Sequence, residues 1–158
     1  MSYRPEVRQT RPWVVVADHR HARIYEFEQP NGALVEVQHL EQLDARRRKG
    51  ELVSDRPGRA FSSVGVRRHG LEPPVDPKEQ ENIRFAKQVA DQLEAGRVEG
   101  RFDSLILVAD PQVLGLLRQK LTPACRELIR EEISKNLGRF NAREVRSHLP
   151  EQLWPPVQ

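Results

Sequence analysis

The sequence predicts a single α/β domain in which helices cover a mixed sheet. Three observations support this class: short β-rich runs fill the part of the chain after residue 12, a helical apolar pattern begins at Asp76, and a continuous apolar run covers Phe102–Ala109. A chain of 158 residues fits one domain with a substantial core. We expect flexible tails at residues 1–12 and 151–158, one domain over residues 13–150, and a long basic loop at residues 41–75 within it.

The first three strands are predicted to form an antiparallel meander. Trp13–Ala17 is a β-rich run that ends at Asp18, and a second run over Ala22–Phe27 follows a polar turn. Pro30-Asn31-Gly32 predicts a tight turn, because Asn and Gly tolerate the positive φ that such turns require. A third strand is expected over Ala33–Leu40.

Two helices are predicted to begin at Asp-Pro pairs. Asp76 can cap the first helix, Pro77 suits its first position, Glu79 can complete a capping box, and Gly96 is placed to end it in a left-handed cap. Phe102–Ala109 is expected to be a fully buried strand. Asp110-Pro111 then repeats the cap, and a second helix is predicted over Val113–Leu121.

The segment after Thr122-Pro123 fits two structures. Cys125, Leu128, Ile129 and Ile133 fit a helical stripe, whereas Ile129, Ile133 and Leu137 also lie on one side of an extended chain. The residue pattern alone favours the helix. Asn141 is expected to cap a final short helix, Ala142–Leu149, that Pro150 ends.

A strongly basic segment lies between the third strand and the first helix. Residues 46–69 contain eight Arg or Lys and two acids, while the whole chain has a net charge of +3. Solubility does not require such clustering, so it indicates an anionic partner. Arginine forks pair with phosphates and stack on unpaired bases, which suits RNA. The predicted nucleic-acid-binding residues are Arg46, Arg47, Arg48, Lys49, Arg56, Gly58, Arg59, Phe61, Arg67, Arg68 and His69.

Two features limit this interpretation of the segment. Phe61 is its single aromatic residue, so a stacking platform is thin and sequence-specific reading of RNA is not expected. The charges could instead solvate a connection, with Arg56 and Arg59 paired to Asp55, Glu51 or acids of the helix.

Blocks of residues along nearly the whole chain also match a known family. They are Trp13–Asp18, Ala22–Tyr25, Ser54–Phe61, Arg68-His69, Glu72-Pro73, Phe85-Ala86, Phe102–Ala109 and Leu114–Arg118. With these blocks the chain resembles the bacterial host attachment proteins, which are described as required for attachment to host cells. That family is in turn similar to the middle domain of archaeal and eukaryotic peptide chain release factors, an RNase H-like α/β domain.

The resemblance implies an RNase H-like mixed sheet, in which a three-strand meander is joined by two further strands, the last near Ile129–Leu137. In the release factor domain, the loop after the third strand presents a Gly-Gly-Gln tripeptide to the peptidyl-tRNA ester. Pro57-Gly58-Arg59 stands at that location here, so peptidyl-tRNA hydrolysis is not implied. What the resemblance implies is a basic loop on a fold of the translational type. Because such a loop suits RNA, we expect RNA or the ribosome as the partner, with no reaction and no cofactor.

A Mg²⁺-dependent nuclease is the enzyme alternative. In an RNase H-like sheet, Asp18 and Asp110 would follow neighbouring strands and could hold the metal, with Glu26 and Asp76 as further candidates. Two carboxylates are too few for such a nuclease, and a turn for Asp18 and a helix cap for Asp110 are the stronger explanations, so we expect no catalysis.

The remaining signals concern metal, compartment and partners. His19 and His21 could join Asp18 on a metal, but no fourth ligand lies at diagnostic spacing, so no metal is predicted. The one cysteine, Cys125, allows no internal disulfide, and no signal peptide or membrane span is recognisable, which predicts a cytoplasmic protein without a membrane partner. An exported adhesin would need a signal, repeats or disulfides, so an attachment role is expected to be indirect, through a protein partner.

Overall fold

The computed structural model describes residues 11–42, 76–151 and 153. The described strands form one five-stranded sheet in the order β3-β2-β1-β4-β5. β1, β2 and β3 pair antiparallel, whereas β4 is parallel to both β1 and β5. The predicted class, an RNase H-like mixed sheet built from a meander plus two further strands with covering helices, is confirmed. The elements are β1 (Pro12–Ala17), β2 (His21–Phe27), β3 (Leu34–Glu41), α1 (Pro77–Val98), β4 (Ser104–Ala109), α2 (Pro111–Lys120), α3 (Pro123–Arg126), β5 (Ile129–Ser134) and α4 (Ala142–Ser147).

The central strand β1 is buried on both faces of the sheet. Because side chains alternate along a strand, Trp13 and Val15 enter one core while Val14 and Val16 enter another. The first core packs against α1 and α2, and the second packs against Val145 of α4. The sheet is therefore the middle layer between two apolar cores, which explains why β1 and β4 are continuous apolar runs.

The predicted turn and the Asp and Asn helix caps are present, but Glu79 does not complete the predicted capping box with Asp76. Asn31 has a φ of 59° in the turn between β2 and β3. The Asp76 carboxylate accepts a hydrogen bond from the Lys78 backbone N–H, and Asp110 accepts one from Val113 N–H at 2.9 Å. Asn141 caps α4 in a capping box with Glu144. Short polar residues thus begin these helices because they satisfy backbone donors that have no partner within the helix.

The prediction that Gly96 ends the first helix is wrong. Gly96 lies inside α1, which continues to Val98, and Gly100 supplies the left-handed residue with a φ of 71°. The Arg101 N–H donates to the Gly96 carbonyl at 2.9 Å and the Gly100 N–H to the Arg97 carbonyl at 3.0 Å, which is a Schellman motif. Gly96 is buried against Trp13, so its role is close packing.

The segment after Thr122-Pro123, which fits a helix or a strand in the sequence, contains one of each. Thr122 caps the short helix α3, and the chain then becomes the strand β5. The helix prediction is therefore wrong from Ile129 onward, and the strand that the resemblance implied is confirmed for Ile129–Ser134. β5 is an edge strand with half-exposed or exposed side chains. Its sequence therefore lacks the continuous apolar run that identifies a fully buried strand.

Arg146 of α4 joins the end of the described chain to the β2–β3 turn. Its guanidinium donates to the carbonyls of Gly32, Asn31, Pro150 and Glu151 at 2.9–3.0 Å. It also lies over the Phe27 ring, 5.6 Å from the centroid. The Leu153 N–H donates to Asn31 Oδ1, and the Leu153 side chain is buried in the second core. These contacts fix α4 and Leu153 to the turn between β2 and β3.

Candidate nucleic-acid interface

The described chain that precedes the basic segment ends at one edge of the sheet. β1 and β4 are parallel, and β3 runs in the same direction as β1 because two antiparallel pairings separate them. Ala17, Glu41 and Ala109 therefore end their strands on the same side, which we call the carboxyl edge. In open α/β sheets, ligands bind at the carboxyl ends of parallel strands.

Gln42, which precedes the basic segment in the chain, is bonded to the first turns of α1. The Gln42 side chain is buried, and its Nε2 donates to the Glu81 carbonyl in the first turns of α1 at 2.9 Å. Its backbone N–H donates to the Arg20 carbonyl at 2.8 Å. Gln42 and the first turns of α1 therefore lie together at the carboxyl edge. The predicted nucleic-acid-binding residues, Arg46 to His69, lie outside the described residues.

Beside this attachment point, three basic side chains share one face of β2 and β3. Arg23 lies opposite His39 in the strand register, and His21 precedes Arg23 by two residues. The His21 and His39 rings meet edge to face with centroids 5.5 Å apart. We call His21, Arg23 and His39 the His–Arg cluster. Arg23 and His21 are half-buried and His39 is exposed, so the cluster is open to solvent.

Arg23 is held in place by backbone rather than by an acid. Its Nη2 donates to the carbonyls of Leu137 and Gly138 at 3.2 and 3.0 Å, and its guanidinium carbon lies 5.7 Å from the centroid of the Tyr25 ring. Among the described residues, no carboxylate forms an ion pair with it. A fixed guanidinium without an ion-pair partner among the described residues is suited to an anion.

Two buried polar atoms near Arg23 lack a hydrogen-bond partner among the described residues. They are the Tyr25 hydroxyl and His21 Nδ1. Burial raises the pKa of the Tyr25 hydroxyl, the nearby Arg23 charge opposes that rise, and Glu36 adds to it. The hydroxyl is therefore neutral and available as a donor.

The four carboxylates of the nuclease alternative have separate partners. Asp18 Oδ1 accepts from the backbone N–H groups of Arg20 and His21, both at 2.7 Å, and Asp110 and Asp76 cap helices. Glu26 accepts from the Trp13 indole at 3.0 Å, at the opposite end of β1 from Asp18. Glu26 therefore does not join Asp18. In residues 11–42, 76–151 and 153, no group of three or more His, Cys, Asp or Glu is arranged to hold a metal.

His19 and His21, which the sequence allows as joint metal ligands, lie in different surroundings. His21 contacts His39, whereas His19 borders a small pocket between the sheet and the two helices α1 and α2. That pocket has an apolar floor, which includes Phe85 and Val113, beside Asp18 and Asn82. It lies on the opposite face of the sheet from the His–Arg cluster.

Sequence reasoning missed the residues that organise this edge. Arg23 and His39 were present in the sequence only as single charged or polar residues on strands, and Gln42 and Gly138 carry no motif. The alternation of β2 could have placed His21 and Arg23 on one face, but it could not supply the partner strand position of His39. Within the described part of the chain, no helix has the length and apolar character needed to cross a bilayer.

Comparisons with known proteins identify relatives of the chain. A family model described as "Protein required for attachment to host cells" matches residues 13–149. An uncharacterized protein of Rickettsia prowazekii (strain Madrid E) is 31% identical over 77 residues, which are 48% of this chain and 51% of that relative. The match thus spans about half the length of the curated relative. A solved structure described as "Archaeal protein" is 10% identical, with a TM-score of 0.42 over 79% of this chain and 30% of that one.

Proposed function

The chain belongs to the family of proteins required for attachment to host cells, and from that premise we propose that it is a non-catalytic domain that binds RNA or the ribosome. The basic segment at residues 46–69 makes the contact. The family description names a cellular outcome and no molecular activity, so attachment is an indirect consequence in this proposal.

One observation supports the proposal most strongly. Eight Arg or Lys lie in a segment with two acids, and Gln42, which precedes that segment, bonds to Glu81 of α1, which follows it. Lysine and arginine bind polynucleotides by displacing counterions from phosphates, and clustered charges do so together. Arg20 is exposed at the same edge and Arg23 lies beside it on β2, so described residues add two positive charges there.

The resemblance to the release factor domain supports the same ligand class. A long connection joins β3 to α1, at the position where that domain carries its Gly-Gly-Gln tripeptide. Arg59 stands in place of the glutamine and Gly58 is the single matching glycine, so ester hydrolysis is not part of the proposal.

The test is RNA binding across a salt series. Wild-type protein is compared with a variant in which Arg56, Arg59, Arg67 and Arg68 are changed to Glu, using tRNA, ribosomes and an unrelated acidic polymer. A matched control places the same charge change on exposed residues away from the carboxyl edge. Those residues are Arg101, Arg118, Arg126 and Arg143.

The basic-segment variant is expected to bind RNA more weakly than wild type. Its salt slope should be smaller by about 0.7 for each phosphate that its side chains no longer neutralise. The control is expected to bind nearly as wild type. Unchanged affinity and slope in the basic-segment variant, or an equal loss of affinity in the control, would contradict the proposal.

A further inference from the structure

We propose that the His–Arg cluster binds one phosphate group of the RNA, an inference that rests on the proposed function. The site consists of the Arg23 guanidinium and the imidazoles of His21 and His39. It is separate from the basic segment and is built wholly from β2 and β3.

The geometry provides a preformed set of donors. The hydrogen bonds to Leu137 and Gly138 use Nη2, so Nε and Nη1 of Arg23 bond to no carboxylate or backbone carbonyl of the described residues. Cross-strand neighbours in an antiparallel pair have Cα atoms about 4.5–5.5 Å apart, so the side chains of Arg23 and His39 leave neighbouring backbone positions on the same face of the sheet. Because Arg23 is already ordered, binding does not have to immobilise a long side chain.

The unsatisfied polar atoms support an anion at this place. Buried polar groups are almost always hydrogen-bonded, and an exception indicates a site for a water or an ion. Within the described part of the chain, both Tyr25 Oη and His21 Nδ1 are buried without a partner, and both side chains adjoin Arg23 along β2. A tetrahedral oxyanion with several acceptor oxygens meets this arrangement of donors better than a planar, single-acceptor ligand does.

The acidic residues nearby do not neutralise the cluster. Asp18 uses one oxygen for two turn amides, and its other oxygen lies against Gly138, where a side chain would collide with it. Glu41 lies opposite His21 and Glu36 opposite Tyr25 on the exposed strand β3. Among the described residues, neither glutamate forms an ion pair with Arg23. Their carboxylates lie at the border of the site and weaken anion binding, because they repel a negatively charged ligand.

Two measurements test the site. The side-chain imidazole and guanidinium NMR signals are followed while inorganic phosphate is added, and affinity is measured for a short RNA oligonucleotide with and without a 5′-phosphate. The variants are Arg23→Gln, His39→Gln and Glu41→Gln, with Arg118→Gln as the control because Arg118 lies at the other edge and pairs with Glu132. Because His39 is exposed, His39→Gln is expected to fold normally. This variant still tests the site if Arg23→Gln does not fold.

Phosphate is expected to shift the His21, His39 and Arg23 signals, and both Gln variants at the cluster are expected to lose about tenfold in RNA affinity. Glu41→Gln is expected to raise affinity and Arg118→Gln to leave it unchanged. Preference for the 5′-phosphorylated oligonucleotide assigns the site to a terminal monoester, and equal binding assigns it to an internal diester.

Failure of this inference is distinguishable from failure of the proposed function. If the cluster variants bind RNA as wild type while the basic-segment variant does not, the phosphate site is wrong and the proposed function stands. If phosphate shifts the cluster signals and the cluster variants bind RNA weakly while the basic-segment variant binds normally, the cluster stands and the role of the segment is wrong.

Discussion

Gly96 of α1 lies directly against the indole ring of Trp13 in β1. A Cβ placed on Gly96 would be 2.7 Å from Cη2 of that indole and 3.2 Å from the Phe102 ring. Trp13 and Phe102 themselves pack with ring centroids 4.7 Å apart. Because Gly96 has no side chain, the last turns of α1 can pack closely against the sheet at the amino end of β1.

We expect Gly96→Ala to destabilise the protein by about 1–3 kcal/mol, because the added methyl group overpacks the core. Gly115→Ala is the matched control, since Gly115 also lies within a helix and a Cβ there meets nothing within 4 Å. The control is expected to stabilise by about 0.5–1 kcal/mol through helix propensity. Urea unfolding of both variants checks the pair, and a stabilised Gly96→Ala would contradict the packing.

Asp110 is expected to act on stability as a helix cap. Asp110→Ala removes the acceptor for the Val113 N–H and should cost about 1 kcal/mol, while Asp110→Asn keeps an acceptor and should cost only a few tenths. Thermal unfolding of the two variants distinguishes them. Equal losses of stability in both would mean that the carboxylate charge itself is needed there.

The Glu94–Arg97 pair predicts a pH dependence of stability. Hydrogen bonds from Arg97 lower the pKa of Glu94 from 4.5 to about 2, although partial burial opposes the shift, and the Thr122 hydroxyl adds a bond at 2.9 Å. A lowered folded-state pKa stabilises the fold above the unfolded value of 4.5, and that stabilisation disappears as the pH falls through about 2.

Melting temperatures of wild type and Glu94→Gln should therefore differ most above pH 4.5 and converge toward pH 2. Glu99→Gln serves as the control, because its pair with Arg101 is exposed at 3.4 Å and such pairs contribute little. A constant difference between wild type and Glu94→Gln across this range would contradict the assignment.

Cys125 is expected to be inert in the folded protein. Its side chain is fully buried, and burial, reinforced by the Glu94 charge and opposed by Arg97, raises the pKa of the thiol to about 11. The reactive thiolate is therefore scarce near neutral pH. A disulfide reagent should label the single cysteine only after denaturant is added, and stoichiometric labelling of the native protein within the mixing time would refute its burial.

Arg146 is expected to be the costliest arginine on α4 to remove. Arg146→Ala removes hydrogen bonds to four carbonyls and the packing against Phe27, for which we expect a destabilisation of about 2–3 kcal/mol. Arg143→Ala on the exposed side of the same helix should change stability by less than about 0.5 kcal/mol. Urea unfolding checks both, and similar values for the two would show that the hydrogen bonds of Arg146 contribute little.

The local features of the fold could be predicted because each one rests on neighbouring residues. The caps at Asp76, Asp110 and Asn141 and the turn at Asn31 depend on side chains within three residues of the groups that they serve. Gly96 misled the prediction because its constraint comes from Trp13, which is distant in sequence. A glycine required for packing and a glycine required for positive φ are identical in a sequence.

The site could be predicted only in part for the same reason. The clustered charges of residues 46–69 are visible in the sequence, and the assignment of these residues to RNA remains a prediction. The contacts that organise the edge are long-range bonds from side chains to backbone carbonyls, such as Arg23 to Gly138 and Gln42 to Glu81. A backbone carbonyl is present at every residue, so such bonds leave no compositional trace.

The parallel pairing of β1 with β4 has a consequence for how the chain folds. Trp13 pairs with Leu105, so the centre of the sheet joins segments far apart in sequence, and contacts of this separation slow folding. During synthesis the meander can form early, but β1 lacks one neighbouring strand and its covering helices until β4 and the segments around it emerge. Its six side chains, buried in the folded protein, are exposed to incorrect pairing during that interval, which favours aggregation of the nascent chain.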